Sequence, residues 1–287
     1  MTVVVYNLSL NLLNKNINFV INTSTIQNTY QVKAIRIYFL FWLIYLITVL
    51  SCDSLPFREF DKISFDNFIC GSDKLVVMIN GVSKEYKTVE LCGRCWMGEN
   101  LNVGRKIDSN EHGDLQVNNS IVEKYCLNNT ESSCEGKGGL FLWNELMNYF
   151  DSTPTIRGIC PEEWHVPTDE EWKDLEMCLG MSAGDANGSG YRGKNQAFKL
   201  MHKDLCAQLG IIDPDCGSSG FDLTFGGIRE TNGTFIGGSQ TAYFWTSTSA
   251  GTGATAYGRL VRNQGEISRG HETLFKTKGL SCRCIKD

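Results

Sequence analysis

Twelve cysteines are the residues of this chain best equipped for chemistry. Thiols can pair as disulfides, bind soft metal ions or act in redox steps, and their spacing decides among these. Cys92 and Cys95 form a C-x-x-C pair, and Cys282 and Cys284 lie close together near the C-terminus. A redox pair would open a helix after a strand, whereas Cys92-Gly93-Arg94-Cys95 interrupts a strand-like stretch. Zinc held by Cys92, Cys95, Cys282 and Cys284 is a second reading. Side chains alternate along a strand, so Cys282 and Cys284 share one face and keep that set open. Structural disulfides are the leading expectation, with no metal bound, because so many thiols suit an oxidising compartment. Cys126 and Cys134 flank the short polar loop 127–133, and Cys206 and Cys216 flank another, so both are expected local partners. Sequence alone fixes no further connectivity.

Other catalytic patterns are missing. The sequence holds no phosphate-binding P-loop and no H-E-x-x-H. Its four histidines are His112, His165, His202 and His271. His165, in Trp164-His165-Val166-Pro167, reads as a hydrogen-bonded structural residue, since no partner motif accompanies it. The late region is dense in aromatic and arginine residues, the types that dominate binding hot spots. Tyr257, Arg259 and Arg269 are the candidates for an exposed ligand face, while Trp245 reads as core.

The elements that must position these residues are short. Leu75–Met78 and Tyr86–Leu91 look like strands, with Asn80-Gly81 as a turn signal between them. Leu140–Met147 follows Gly138-Gly139 and puts Leu142, Leu146 and Tyr149 near one helical face. Thr168 and Glu171 form a capping box, Asp169 and Glu170 fill the first turn, and Gly180 supplies a stop. After Asp185 the chain becomes glycine-rich and loop-like, with strands at Ala256–Arg262 and Gly279–Ile285. Two early helices, then loops and short twisted strands, predict a disulfide-bonded α+β domain.

Composition and the N-terminus set the context. Apolar residues make up 42% and charged residues 21%, values of an ordinary globular protein. A net charge of −5 with no dense basic run argues against nucleic-acid binding. Residues 37–50 form an apolar run preceded by Lys33 and Arg36, in signal-peptide order. Fourteen residues fall short of the roughly 20 needed to span a bilayer. Val49-Leu50-Ser51-Cys52 looks like a bacterial lipobox, so Cys52 is expected to carry lipid and to hold the protein at a membrane. Residues 1–31 are unusual ahead of such a signal, and translation is expected to begin near Val32. The expected organisation is an N-terminal extension and signal over 1–51, a lipidated tether over 52–74 and one domain over 75–287. If Cys52 is lipidated, eleven thiols remain, so one is unpaired or bonds another chain.

Several fixed phrases stand together. They include Trp96-Met97-Gly98-Glu99-Asn100-Leu101, Cys160-Pro161-Glu162-Glu163-Trp164-His165-Val166-Pro167, Trp245-Thr246-Ser247-Thr248 and the closing Arg283-Cys284-Ile285-Lys286-Asp287. This set resembles the Fibrobacter succinogenes major paralogous domain family, over roughly Leu75 to Asp287. The resemblance implies an exported bacterial protein of undefined activity, a C-type-lectin-like fold and a disulfide between Cys160 and Cys284. Cys92, Cys95, Cys178 and Cys282 depart from that pattern. The calcium ligands of sugar-binding C-type lectins have no counterpart here, and Trp245-Thr246-Ser247 stands where one set would fall. Asp213 and Asp215 could offer oxygens to calcium but read as a solvated turn, so no cofactor is expected. The leading functional expectation is a non-catalytic binding or adhesion module whose partner is polysaccharide or a surface protein. The alternatives are an oxidase of the formylglycine-generating kind, or a structural subunit. For the subunit, the odd thiol would give a disulfide-linked oligomer, and Phe57, Phe60, Phe65 and Phe68 would be contacts.

Overall fold

An asparagine and a glycine in tandem dictate the first turn. Asn80 and Gly81 both take positive φ, 54° and 74°, as a two-residue type I′ hairpin demands. In this computed structural model β1 (Leu75–Ile79) therefore pairs directly with β2 (Val82–Tyr86), Ile79 opposite Val82. The strand expected at 86–91 is split: β2 ends at Tyr86 and β3 (Thr88–Leu91) begins after Lys87. A second tight turn, Cys92-Gly93 with φ of 58° and 74°, joins β3 to β4 (Arg94–Met97). The structure describes residues 68–110, 115–149, 157–251, 253–270 and 274–287. The leader, the start near Val32, Cys52, the early phenylalanines up to Phe65, His112 and His271 lie outside these residues.

Among the described residues the strands form three four-stranded sheets and two pairs. One sheet sets β3 and β4 beside the terminal Ile285–Lys286 and Trp164–His165. The helices are short: α1 (Glu131–Lys137) has seven residues, and among the described residues only α2 (Asp169–Cys178) reaches ten. Thr168 caps α2: its hydroxyl accepts from the Glu171 N–H, and the Glu171 carboxylate accepts from the Thr168 N–H. Gly180, at φ 100°, follows the helix end. The largest sheet joins β5 (Thr241–Ala250), β6 (Thr255–Arg262), β7 (Ile267–Gly270) and Gly190–Arg192. The fold is thus mixed α+β, with few helices and many short strands.

Two expected elements differ. Leu140–Met147 is not one helix: Phe141–Leu142 is extended and pairs with Gly279–Leu280, and only Trp143–Leu146 is helical. Buried ring N–H groups reward this arrangement, since Trp143 Nε1 donates to the Thr246 carbonyl and Trp245 Nε1 to that of Phe141. The closing strand breaks into Gly279–Leu280 and Ile285–Lys286. Residues between them cross from one sheet to another, and the carbonyls of Cys282 and Cys284 accept from the N–H groups of Leu101 and Met97. The region after Asp185, read as loop, also contains two short helices, at Gln196–Leu200 and Lys203–Gln208, and a third, Ala183–Asn187, spans its start.

Two large aromatic-centred clusters make most of the core, with a small third of Tyr125, Leu140 and Leu142. Trp143, Trp164 and Trp245 anchor one. Trp96, Trp172, Phe221 and Phe244 make the other, Trp96 and Trp172 lying edge to face at 5.5 Å. Five disulfides brace them: Cys70–Cys95, Cys92–Cys178, Cys126–Cys134, Cys160–Cys284 and Cys206–Cys216. Residues 68–74, read as tether, are fastened to the domain by Cys70 and by Phe68, whose ring meets Trp164 at 5.8 Å.

Candidate functional site

The cysteine pairing removes the zinc set. Cys92 bonds Cys178 and Cys95 bonds Cys70, so the two thiols of the C-x-x-C face different partners across a tight turn. Cys284 is bonded to Cys160, leaving Cys282 as the free thiol among the described residues. Its side chain is fully buried, and burial pushes its pKa up, which makes it a poor nucleophile and keeps it from cross-linking another chain.

The expected ligand face also changes. Arg259 is buried, not exposed: it donates to Glu176 at 2.6 Å and to Asp169 at 2.8 Å. A buried guanidinium needs such partners, and both acids come from α2, out of register with any sequence pattern around Arg259. Arg269 is drawn into the same cluster, bonding Asp169 at 2.6 Å, and its guanidinium covers the half-buried Tyr257 ring at 4.5 Å. These three residues therefore fasten α2 to the large sheet. His165 is likewise structural. Its Nδ1 lies 2.5 Å from Asp287 and its Nε2 3.0 Å from Glu171. Burial lowers its pKa, but the Glu171 and Asp287 carboxylates outweigh this and raise it overall. Asp213 accepts from the Asp215 N–H at 2.8 Å, a local turn contact.

A polar cleft of about 190 Å³ lies elsewhere, and the sequence reading does not single it out. Its wall begins at Asn100, which accepts from Arg283 Nε at 2.9 Å and donates to the Lys137 carbonyl at 2.8 Å. Gly138 makes this contact possible: φ is +80°, and a Cβ there would stand 2.4 Å from that of Asn100. Asn102 comes next. Its N–H donates to the Tyr86 hydroxyl at 2.8 Å, and its Oδ1 accepts from Lys124 at 2.7 Å. Its Nδ2 is buried and makes no hydrogen bond. Arg283, 2% exposed, also donates to the carbonyls of Phe221 and Asp222 and stacks 4.1 Å from the Phe221 ring. Burial lowers its pKa to about 9, against the opposing charges of Asp222 and Glu99. Lys137 extends to the Gly238 carbonyl, and the Lys84–Glu135 pair, at 3.1 Å, lines the same cleft. Such a wall offers donors and acceptors, the equipment of a polar-ligand site.

The family model of the Fibrobacter succinogenes major domain matches residues 89–286, more than half of the chain. The chain belongs to the Fibrobacter succinogenes major domain family. No curated protein and no solved structure matches it. In this member of the Fibrobacter succinogenes major domain family, the phrase around Trp164-His165 is buried structure, tied to the terminal Asp287. Two other family phrases reach the cleft, through Asn100 in one and Arg283 in the other. Lys84, Tyr86 and Lys87 also line it, although they precede the matched stretch. The available signals were the Asn100-Leu101-Asn102 spacing, which puts two amides on one side of an extended chain, and Gly138-Gly139.

Proposed function

We propose that this protein is a non-catalytic binding module displayed at the cell envelope, that Cys52 carries the lipid anchoring it, and that its ligand is a polysaccharide engaged at the Asn100–Asn102 cleft. The buried, unbonded Nδ2 donor of Asn102 on the cleft wall carries this reading. Leaving such a donor unsatisfied costs about 1–3 kcal/mol, so a native fold that keeps one calls for an explanation. The size agrees: ligand pockets for drug-sized molecules start near roughly 300 Å³, and this smaller cleft suits one sugar ring of a longer chain. The non-catalytic part rests on the condition of the reactive groups among the described residues: His165 is held by two carboxylates, His202 Nδ1 accepts from the Asp204 N–H, and Cys282 is buried. A C-type-lectin-like relation and a domain spanning 75–287 belong to the same proposal, supported by the mixed α+β architecture and the family membership.

The test is a glycan-binding screen of the oxidised full chain, with calcium and with chelator. Saturable binding that survives chelation and is lost in Asn102→Asp is expected. That variant keeps the oxygen that holds Lys124 and removes the free donor. A folded, oxidised sample that binds no glycan would contradict the reading.

A further inference from the structure

The charges around the cleft narrow its ligand. Its lining cations are Lys84, Lys87, Lys137 and Arg283, against the acids Glu99, Glu135 and Asp222. Among the described residues, Arg283 hydrogen-bonds to carbonyls and an amide, and Lys137 to a carbonyl, with no carboxylate on either. Burial lowers the pKa of both. Cations in a low-dielectric wall whose hydrogen bonds all go to neutral dipoles favour an anion beside them. The cleft also shows what kind of anion it accommodates. Glu135, exposed on α1, accepts from Lys84 Nζ at 3.1 Å, and that contact comes first in holding its pKa down. The Lys84 ammonium thus already holds a carboxylate in the cleft that Asn102 also lines. The Lys84–Glu135 pair is a surface pair of two long side chains, worth little and easily exchanged.

Resting on the binding-module reading above, we infer that this cleft recognises a carboxylate-bearing sugar, a hexuronic acid residue within a polysaccharide. The ligand's carboxylate takes the place of Glu135 against Lys84 and Asn102 Nδ2. Its ring hydroxyls meet the mixed donors and acceptors of the rest of the wall. An acidic peptide would supply the same charge, but a small polar cleft gives it no apolar pocket for an anchoring side chain.

Titration calorimetry of the oxidised full chain tests this with four probes: trigalacturonate, its methyl ester, a neutral cello-oligosaccharide and a short oligoglutamate. Trigalacturonate should bind at least about tenfold more tightly than the ester, the effect of one charge-assisted hydrogen bond, and should weaken as salt rises. Asn102→Asp and Lys137→Gln should each reduce acid binding, and Glu135→Gln, which removes the competing carboxylate, should increase it. Circular dichroism and thermal melting of each variant separate these effects from misfolding. Equal binding of acid and ester, or binding of the neutral sugar alone, would overturn the carboxylate inference and leave the polysaccharide reading standing. Equal binding of oligoglutamate would show that the cleft reads charge and not sugar, and would overturn the inference also. No binding of any sugar by a folded chain would overturn both.

Discussion

Asp169 accepts from Arg259 at 2.8 Å and from Arg269 at 2.6 Å, with Glu176 and Arg192 completing a buried charge cluster. Removing one partner of a buried pair leaves the other charge uncompensated, at a cost of about 3–5 kcal/mol. Asp169→Asn should therefore lower the unfolding free energy from urea titration by that order, while exposed Asp204→Asn should leave it nearly unchanged. Burial alone would raise the Asp169 pKa, but the two arginines pull it below the ordinary 3.8. Its contribution is thus complete above that value and lost as pH falls. His165 behaves in the opposite sense. Its pKa is raised above 6.5, so its contribution is complete below 6.5 and lost as pH rises through the folded value. Glu171, held at about 2, contributes fully above 4.5 and loses this as pH falls toward 2. Thermal melts should show wild type losing stability on the alkaline side, with His165→Asn flattening that limb. A limb of unchanged steepness in the variant would show that His165 does not drive it. At Cys282, iodoacetamide with peptide mapping should label the native protein negligibly and the unreduced, denatured protein fully.

At the scale of elements, the disulfides differ in what they enclose. Cys160 and Cys284 are 124 residues apart and Cys126 and Cys134 only 8. In the chain-entropy model the long loop is worth about 5 kcal/mol and the short one about 2.5. Denaturant titration of the paired-alanine variants should show the long bridge costing roughly twice as much. Both cysteines must be replaced together, because Cys282 lies within 4.8 Å of both sulfurs. Thr168→Ala should cost about 1 kcal/mol through loss of the α2 cap. This helix was readable because its cap, acidic first turn and stop are all local. The turn at Asn80-Gly81 was readable for the same reason. Leu140–Met147 was misread as a helix because what extends Phe141–Leu142 is a partner strand more than a hundred residues later. The short helices after Asp185 gave no sustained apolar period to detect.

At the scale of the whole molecule, the family was legible from phrases spread along the chain, and the mixed α+β class from the order of elements. The site was not. Arg259 and Arg269 carry the residue types of a hot spot, yet the acids that bury them sit 83 to 100 residues away in sequence. The cleft gathers Asn100 and Asn102 with Lys137 and Arg283, positions that no local pattern joins. Its assembly depends on the terminal segment passing between sheets, which delivers the Arg283 guanidinium to Asn100. The most direct test of the account is an NMR titration of the oxidised full chain with trigalacturonate, following the side-chain amide signals of Asn100 and Asn102. The account expects saturable shifts at both amides and at the backbone of Lys137 and Gly138. Shifts confined to the large sheet around Tyr191 and Tyr243, or none at all, would contradict it.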